Sequence, residues 1–393
     1  MGRPIFIFVG KLNKDVRRSS PVTCDGGSST MSEPNTAQPV IRARNVYKIF
    51  GRRPQAIADR MKAGETRQDV EKEGTAAVID ASFDVHQGEI FVVMGLSGSG
   101  KSTVIRTLNA LHPATSGTVE VLGNDLAKLN PKELRALRSE HISMVFQHFA
   151  LFPHWTVIEN AAYSLETQGV EKEKRYAQAR EVLAAVGLKG WEDSYPSELS
   201  GGMQQRVGLA RALAADTDIM LMDEAFSALD PLIRREMQEE LKQIQAQLGR
   251  TIVFITHDLN EAMFLGDRIA VMKDGKIAQI GTPQQILSEP ADDYVASFTS
   301  DVDRGRVLTA EAVMVPEEQL SEADRAAFAR SALTVKASAT LQQIVPVVLE
   351  ANAPVGVEAE HSNDHVGYIR LESLLQALTP QQSEVVPGSG EAQ

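Results

Sequence analysis

Asp223 and Glu224 stand side by side at the end of the apolar run Ile219–Met222, and His257 follows a second run, 252–255. Runs of this kind read as buried strands of a parallel sheet, and ligands of such sheets lie beyond the carboxyl ends of the strands. Asp223 is placed there to hold a magnesium ion through water. Glu224 is placed to orient and deprotonate an attacking water, work that contributes typically about 10²–10⁴-fold. His257, at the next strand end, would bring a ring N–H to a terminal phosphate. The substrate is indicated by Gly95–Ser102, which fits the phosphate-binding pattern G-x-x-x-x-G-K-S. Gly95, Gly98 and Gly100 let successive backbone N–H groups converge on one anion, which a Cβ at those positions is expected to hinder. Leu96, Ser97 and Ser99 complete the loop. Lys101 would reach the β- and γ-phosphates and the Ser102 hydroxyl would ligate Mg²⁺.

These side chains need strands and helices to hold them. Val85–Met94 reads as a strand entered by a turn at 86–88, and Thr103–Leu111 as the helix after the loop. That helix adds positive potential at its N-terminal end. A second glycine-lined turn, Leu199, Ser200, Gly201, Gly202 and Met203, precedes an apolar stripe at Met203, Val207, Ala210 and Ala214. That stripe has helical spacing, so the turn is another helix N-terminus suited to an anion. The chain thus has two such devices but only one lysine-bearing loop. Two copies pairing head to tail, each lending Ser-Gly-Gly to the other's triphosphate, resolve the mismatch.

With these motifs in this order, the chain resembles the ATPase subunit of an ABC (ATP-binding cassette) transporter from about Val40 to Ser288. The four motifs resemble Walker A, Walker B, the switch histidine and the ABC signature. The resemblance implies a P-loop NTPase ABC cassette of α/β class: a mixed sheet core with a helical subdomain at about 149–212. It implies ATP and Mg²⁺ as cofactors. It assigns Gln147 to the Q-loop, as a catalytic and magnesium-side residue that links the site to a permease. It makes Ser227, Ala228, Leu229 and Asp230 a D-loop, and Phe50 the aromatic that stacks on adenine. Thr103 and Asp223 join the nucleotide-binding set. The implied partners are a second copy, integral membrane permease subunits and, indirectly, an extracytoplasmic solute-binding protein. The implied location is the cytoplasmic face of the plasma membrane. VYKIFG at 46–51, an insertion at 52–77 and the wording GEIFVVMGLSGSGKST resemble importers of glycine betaine, proline and related quaternary ammonium osmoprotectants. Other cargoes, such as amino acids, polyamines or an inorganic anion, stay open, as does a soluble non-transport ABC ATPase.

Composition agrees with that expectation. At 393 residues there is room for one large domain and a small one. A formal net charge of −12 disfavours a nucleic-acid partner. No stretch approaches the roughly 18 apolar residues of a membrane span, so the pore would be another polypeptide. The single cysteine, Cys24, excludes an internal disulfide and suits a reducing compartment. Residues 1–39 read as a disordered extension, with an alternative start at Met31 and an apolar Ile5–Val9 too short for a signal peptide. The cassette is expected over 40–290 and a linker over 291–306. A small α+β region over 307–378, ordered strand, helix, strand, strand, helix, resembles a CBS module with Arg370 and Ser373 where nucleotide-binding modules show Thr or Ser and then Asp. Residues 379–393 read as a flexible tail.

Overall fold

Two long strands, β1 (Ile41–Gly51) and β2 (Gly74–Val85), pair antiparallel and alternate buried with exposed positions over much of their length. The computed structural model describes residues 39–147, 149–227, 229–360, 362 and 364–379. Ala228, Cys24, Met31, Ile5–Val9 and the tail from 380 lie outside the described residues. Between β1 and β2, the insertion forms α1 (Pro54–Lys62) and α2 (Arg67–Val70). Proline opens α1, and Thr66 and Asp69 box the start of α2. Ile57, Ala58, Met61 and Val70 bury against Tyr47, Ile49, Ala76 and Ile79, so the insertion has a small core of its own.

β3 (Ile90–Gly95) is buried at every position and leads through the glycine loop into α3 (Lys101–Leu108). The helix starts two residues earlier than expected because left-handed Gly100 serves as its cap. β4 (Ser116–Val121) and β5 (Asn124–Asp125) complete a four-stranded sheet of order β2-β1-β4-β5. α4 (Pro131–His141), boxed by Asn130 and Glu133, runs into β6 (Ile142–Val145). A helical group follows: α5 (Val157–Thr167), α6 (Lys172–Ala185) and α7 (Gly201–Ala214). The chain then returns through β7 (Ile219–Asp223), α8 (Pro231–Leu248), β8 (Thr251–Thr256), α9 (Leu259–Leu265), β9 (Arg268–Lys273) and β10 (Lys276–Gly281).

The central sheet has the order β10-β9-β3-β8-β7-β6, and β9, β3, β8, β7 and β6 run parallel. β3, β7 and β8 are buried throughout, as strands covered on both faces must be. One core joins this sheet to the antiparallel one through Phe83, Phe91, Ile105, Leu221 and Ile255 among others. Within it, Phe83 and Phe91 stack at 5.3 Å between ring centroids.

The chain divides into two compact units between Ile280 and Gly281. The second unit contains α10 (Pro283–Ser288), α11 (Asp293–Phe298), α12 (Arg304–Val307), α13 (Ala310–Val313) and α14 (Glu322–Ser331). Segment 291–306, expected as a linker, therefore carries two helices. Asp292 accepts from Val295 N at 2.8 Å and Asp303 from Gly305 N at 3.1 Å, so acidic residues that resemble a loop are helix caps. β11 (Thr334–Lys336), α15 (Leu341–Ala351), β12 (Val355–Glu358), β13 (His365–Ile369) and α16 (Leu371–Leu378) follow in the expected order. β11 and β12 are parallel and β13 returns antiparallel to β12. Among the described residues no helix is long and apolar enough to cross a membrane.

Candidate active site

Strand register decides which residues meet. Met94 pairs with Thr256, Asp223 with Ile255, and Val145 with Met222. The carboxyl ends of β3, β8, β7 and β6 therefore form one edge, and the segments leaving it carry Lys101, His257, Asp223 with Glu224, and Gln147. This is where a parallel sheet places a ligand.

The glycine loop fits tightly against its surroundings at two of its three glycines. An ideal Cβ at Gly95 would run into the Met272 carbonyl oxygen, and one at Gly100 into that of Ala77. Gly100 also has φ +103°, a value side chains rarely adopt. Gly98 departs from the expectation that a Cβ would be obstructed at every loop glycine. An added Cβ there meets nothing within 4 Å, and glycine is favoured only by the backbone, which turns at φ +78°. The physical reason is position: Gly95 ends β3 and Gly100 caps α3, so both lie against neighbouring strands, whereas Gly98 sits between them in the open bend.

Lys101 is 5% exposed and donates to the carbonyls of Gly95 at 2.8 Å and Leu96 at 3.0 Å. Burial pulls its amine below the ordinary lysine value, and the negative charges of Glu224 and Asp223 oppose that shift. The Ser99 hydroxyl is buried without a hydrogen-bond partner among the described residues.

Ser102 donates its hydroxyl to Asp223 Oδ1 at 2.8 Å, and Arg106 bonds Asp223 Oδ2 at 3.1 Å. The Asp223 side chain is fully buried. Ser102 and Arg106 lie four residues apart on α3 and so share a face. Residue spacing alone could have found Arg106, which the motif pattern does not contain. The Ser102–Asp223 oxygen pair suits magnesium, which takes one or two protein oxygens and fills its octahedron with phosphates and water. Among the described residues no group of three or more His, Cys, Asp or Glu side chains could hold a metal ion.

Glu224 holds φ +47°, a left-handed conformation uncommon for a residue with a side chain. Its N–H donates to the Ile255 carbonyl at 3.1 Å, which ties the bend to the neighbouring strand. Such backbone strain persists where the surroundings over-determine it, and it clusters at functional sites. The turn leaves the carboxylate 14% exposed. Its Oε2 accepts from Gln147 Nε2 at 3.0 Å and lies 3.3 Å from His257 Nδ1. Gln147 thus faces Glu224 rather than the Ser102–Asp223 pair. The His257 ring is 58% exposed. Thr256, beside it, donates to Glu261, which is buried and also accepts from Gln238 at 2.9 Å. Burial pushes the Glu261 carboxyl up, and those hydrogen bonds pull it back.

Around this cluster, Ser227 Oγ donates to the Glu224 carbonyl at 2.9 Å, and Asp230 caps α8 by accepting from Ile233 N at 3.1 Å. Leu229 is buried, its side chain beside Gly202. At the head of α7, exposed Ser200 accepts from Met203 N at 3.3 Å. Among the described residues no hydrogen bond joins Leu199, Ser200, Gly201, Gly202 or Met203 to the Lys101–Glu224 cluster. Phe50 is 40% exposed, edge-on to His112 at 5.4 Å and beneath Lys48 Nζ at 5.0 Å. Arg211 on α7, which the sequence does not flag, donates to the carbonyls of Ala150 at 2.7 Å and Phe149 at 3.2 Å. It ties the segment after Gln147 to the helix that Ser200 caps. Beside that segment lies a cavity of about 550 Å³, lined by Arg135, Arg138, Met144, Phe152, Tyr163 and Arg211 among others.

Comparison with known proteins gives the same reading. Residues 78–227 match the family model "ABC transporter". The glycine betaine transport ATP-binding protein OpuAA of Bacillus subtilis is 53% identical over 70% of this chain and 66% of its own length. The glycine betaine/proline betaine ATP-binding protein ProV of Escherichia coli is 47% identical over 87% of this chain and 83% of its own. The trimethylamine N-oxide ATP-binding protein TmoW of Ruegeria pomeroyi is 48% identical over 79% and 89%. Among solved structures, a dimeric ATP-binding cassette in a post-hydrolysis state with ADP and Pi aligns with TM-score 0.55 and 32% identity, over 62% of this chain and 98% of that one. The chain belongs to the ABC transporter family, as one of its ATP-hydrolysing, ATP-binding subunits.

Proposed function

We propose that this subunit powers import of glycine betaine, proline betaine or a related methylated osmoprotectant through separate permease subunits, and that it works as a pair. The observation that carries the ATPase half is the meeting of Lys101, Ser102, Asp223, Glu224, Gln147 and His257 at one sheet edge. The cargo half rests on the relatives named for glycine betaine transport. Gly95–Thr103 cradles the phosphates of ATP, the part-exposed Phe50 ring would stack on adenine, and Ser102 and Asp223 would hold magnesium. Bound magnesium supplies positive charge where negative charge builds up on the phosphates. Glu224 orients a water and takes its proton. The water oxygen then bonds to the γ-phosphorus as the bond to the β–γ bridging oxygen breaks. His257 meets the γ-phosphate and Gln147 gives up its hold on Glu224 Oε2. Most of the acceleration comes from position and charge rather than covalent chemistry.

The second copy lends Leu199–Met203 to the same ATP, with Ser227–Asp230 at the seam between copies. The pair of copies is supported by the solved relative, which is a dimer. The permease contact is proposed at the cavity beside the Gln147 segment, which places the chain against the cytoplasmic side of the membrane. An extracytoplasmic binding protein would deliver the cargo to that permease. The C-terminal unit is proposed as a CBS-like regulatory attachment, supported by its β-α-β-β-α order.

Glu224→Gln tests the base: ATP affinity stays while turnover falls at least about 100-fold. Near-normal turnover would remove Glu224 from that role. Uptake of labelled glycine betaine in a strain deleted for this gene tests the cargo. Trimethylamine N-oxide is the second reading, favoured by the 48% identity to TmoW. Competition between the two solutes for uptake separates them.

A further inference from the structure

Asp223 is a fully buried carboxylate, and the side chains bonded to it are Ser102 and Arg106. A buried carboxylate without a cation is costly. The nearby Lys101 does not fill that need, because its ammonium is turned to the Gly95 and Leu96 carbonyls. The cation in contact is Arg106, which takes Oδ2 at 3.1 Å and leaves Oδ1 facing the Ser102 hydroxyl at 2.8 Å. The two carboxylate oxygens thus have different partners within the chain. Arg106 also keeps about a third of its side chain exposed, so it reaches the buried acid from the open side of α3.

We infer that Arg106 is a positioning residue for magnesium: by holding Oδ2 it keeps Asp223 turned so that Oδ1 and the Ser102 oxygen form the edge that receives the ion. This rests on the proposed role of Asp223 at the metal. Groups that orient a metal's protein partners typically contribute 10–100-fold to metal affinity. Arg106 acts through Asp223, so its loss appears in the metal-dependent part of nucleotide binding.

The test is a titration of the full chain with a fluorescent, non-hydrolysable ATP analogue, in excess Mg²⁺ and again in EDTA. The ratio of the two Kd values reads what magnesium adds. Arg106→Met is expected to shrink that ratio about tenfold. Arg106→Lys keeps a positive charge at a site with a single contact, and is expected to hold the ratio within about threefold of wild type. It also serves if the Met variant fails to fold, since a tenfold loss there would mean that charge at this position is not what matters and would overturn the inference. An unchanged ratio in Arg106→Met overturns it as well. A larger ratio would show that the guanidinium competes with the ion, which is the opposite role. Asp223→Asn is the control for the underlying reading. If that variant keeps the wild-type ratio, Asp223 itself is not at the metal, and the failure lies there rather than with Arg106.

Discussion

The two glycine-lined helix starts of this chain, at α3 and α7, look alike as sequence and differ as structure. The α3 start has a left-handed glycine cap with no side-chain cap, a buried lysine folded over its own loop, and carbonyls of β2 and β9 pressed against Gly100 and Gly95. No side chain of the loop caps the first backbone N–H groups of this helix. The α7 start is a finished helix terminus: Ser200 is extended, its hydroxyl already accepts from Met203, and Ser200 and Gly201 face solvent. One is held tightly by contacts within its own chain. The other presents an exposed, self-capped surface, which suits its proposed role towards the ATP of a second copy.

The largest effect that sharpens this contrast is on nucleotide affinity. Lys101→Ala removes a charged hydrogen-bond donor, and such bonds carry about 1.5–3 kcal/mol. ATP binding to the isolated chain is expected to weaken about 10- to 100-fold. Ser200→Ala is expected to leave that affinity within about twofold while lowering steady-state turnover, because its proposed ATP sits on the other copy. Equilibrium titration and an ATPase assay on the same preparations separate the two. Equal losses of affinity in both variants would break the contrast.

A second effect, of comparable size, is on folding, and it is expected at the α3 start but not at the α7 start. Gly100→Ala puts a Cβ against the Ala77 carbonyl at a φ of +103°. Left-handed strain of about 1–2 kcal/mol and overpacking of about 1–3 kcal/mol predict a loss of about 3 kcal/mol. At Gly201 the added Cβ meets Phe149 Cζ at an ordinary 3.6 Å, and no positive φ is involved. There Gly201→Ala should be neutral or gain up to about 1 kcal/mol from backbone entropy. Urea unfolding of both variants reads the difference. A loss of more than about 1 kcal/mol at Gly201 would mean that this start is also shaped by tight contacts.

How much of this was legible beforehand depends on how local each cause is. Gly95–Ser102 and the acids at 223 and 224 are read from contiguous residues, and continuous apolar runs mark the strand ends that gather them. Which loop glycines are crowded is not local: Gly95 and Gly100 meet β9 and β2, while Gly98, alike in sequence, meets open space. The left-handed turn at Glu224 is not written in its own segment either. It depends on β7 lying beside β8 so that Ile255 can accept from the Glu224 amide. The hold of Gln147 on Glu224 likewise needs β6 to be the next strand over. Arg106, four residues after Ser102, was within reach of spacing, whereas Arg211 depends on the docking of α7 against the segment after Gln147. Segment 291–306, expected as a linker, carries two short helices that the sequence did not announce, capped by Asp292 and Asp303.

The smallest expected effect concerns α8, whose Glu240 feels Arg206 of α7, the helix that Ser200 caps. Burial pushes the Glu240 carboxyl up to about 7 from an ordinary 4.5; Arg206 opposes the shift and Glu236 adds to it. The folded protein therefore binds this proton more tightly than the unfolded chain does. Its contribution to stability is fully present below about pH 4.5, falls as pH rises towards 7, and is absent above that. Glu240→Gln removes the titration. The variant should match wild type near pH 5 and exceed it near pH 8. The gain there is about 1 kcal/mol, taken well below the full value of the shift because the side chain keeps partial contact with solvent. Thermal melts at the two pH values measure it. A variant less stable than wild type at pH 8 would mean that Glu240 stays ionised against Arg206, so that the body of α7 is held by an ion pair as its N-terminus is held by Ser200.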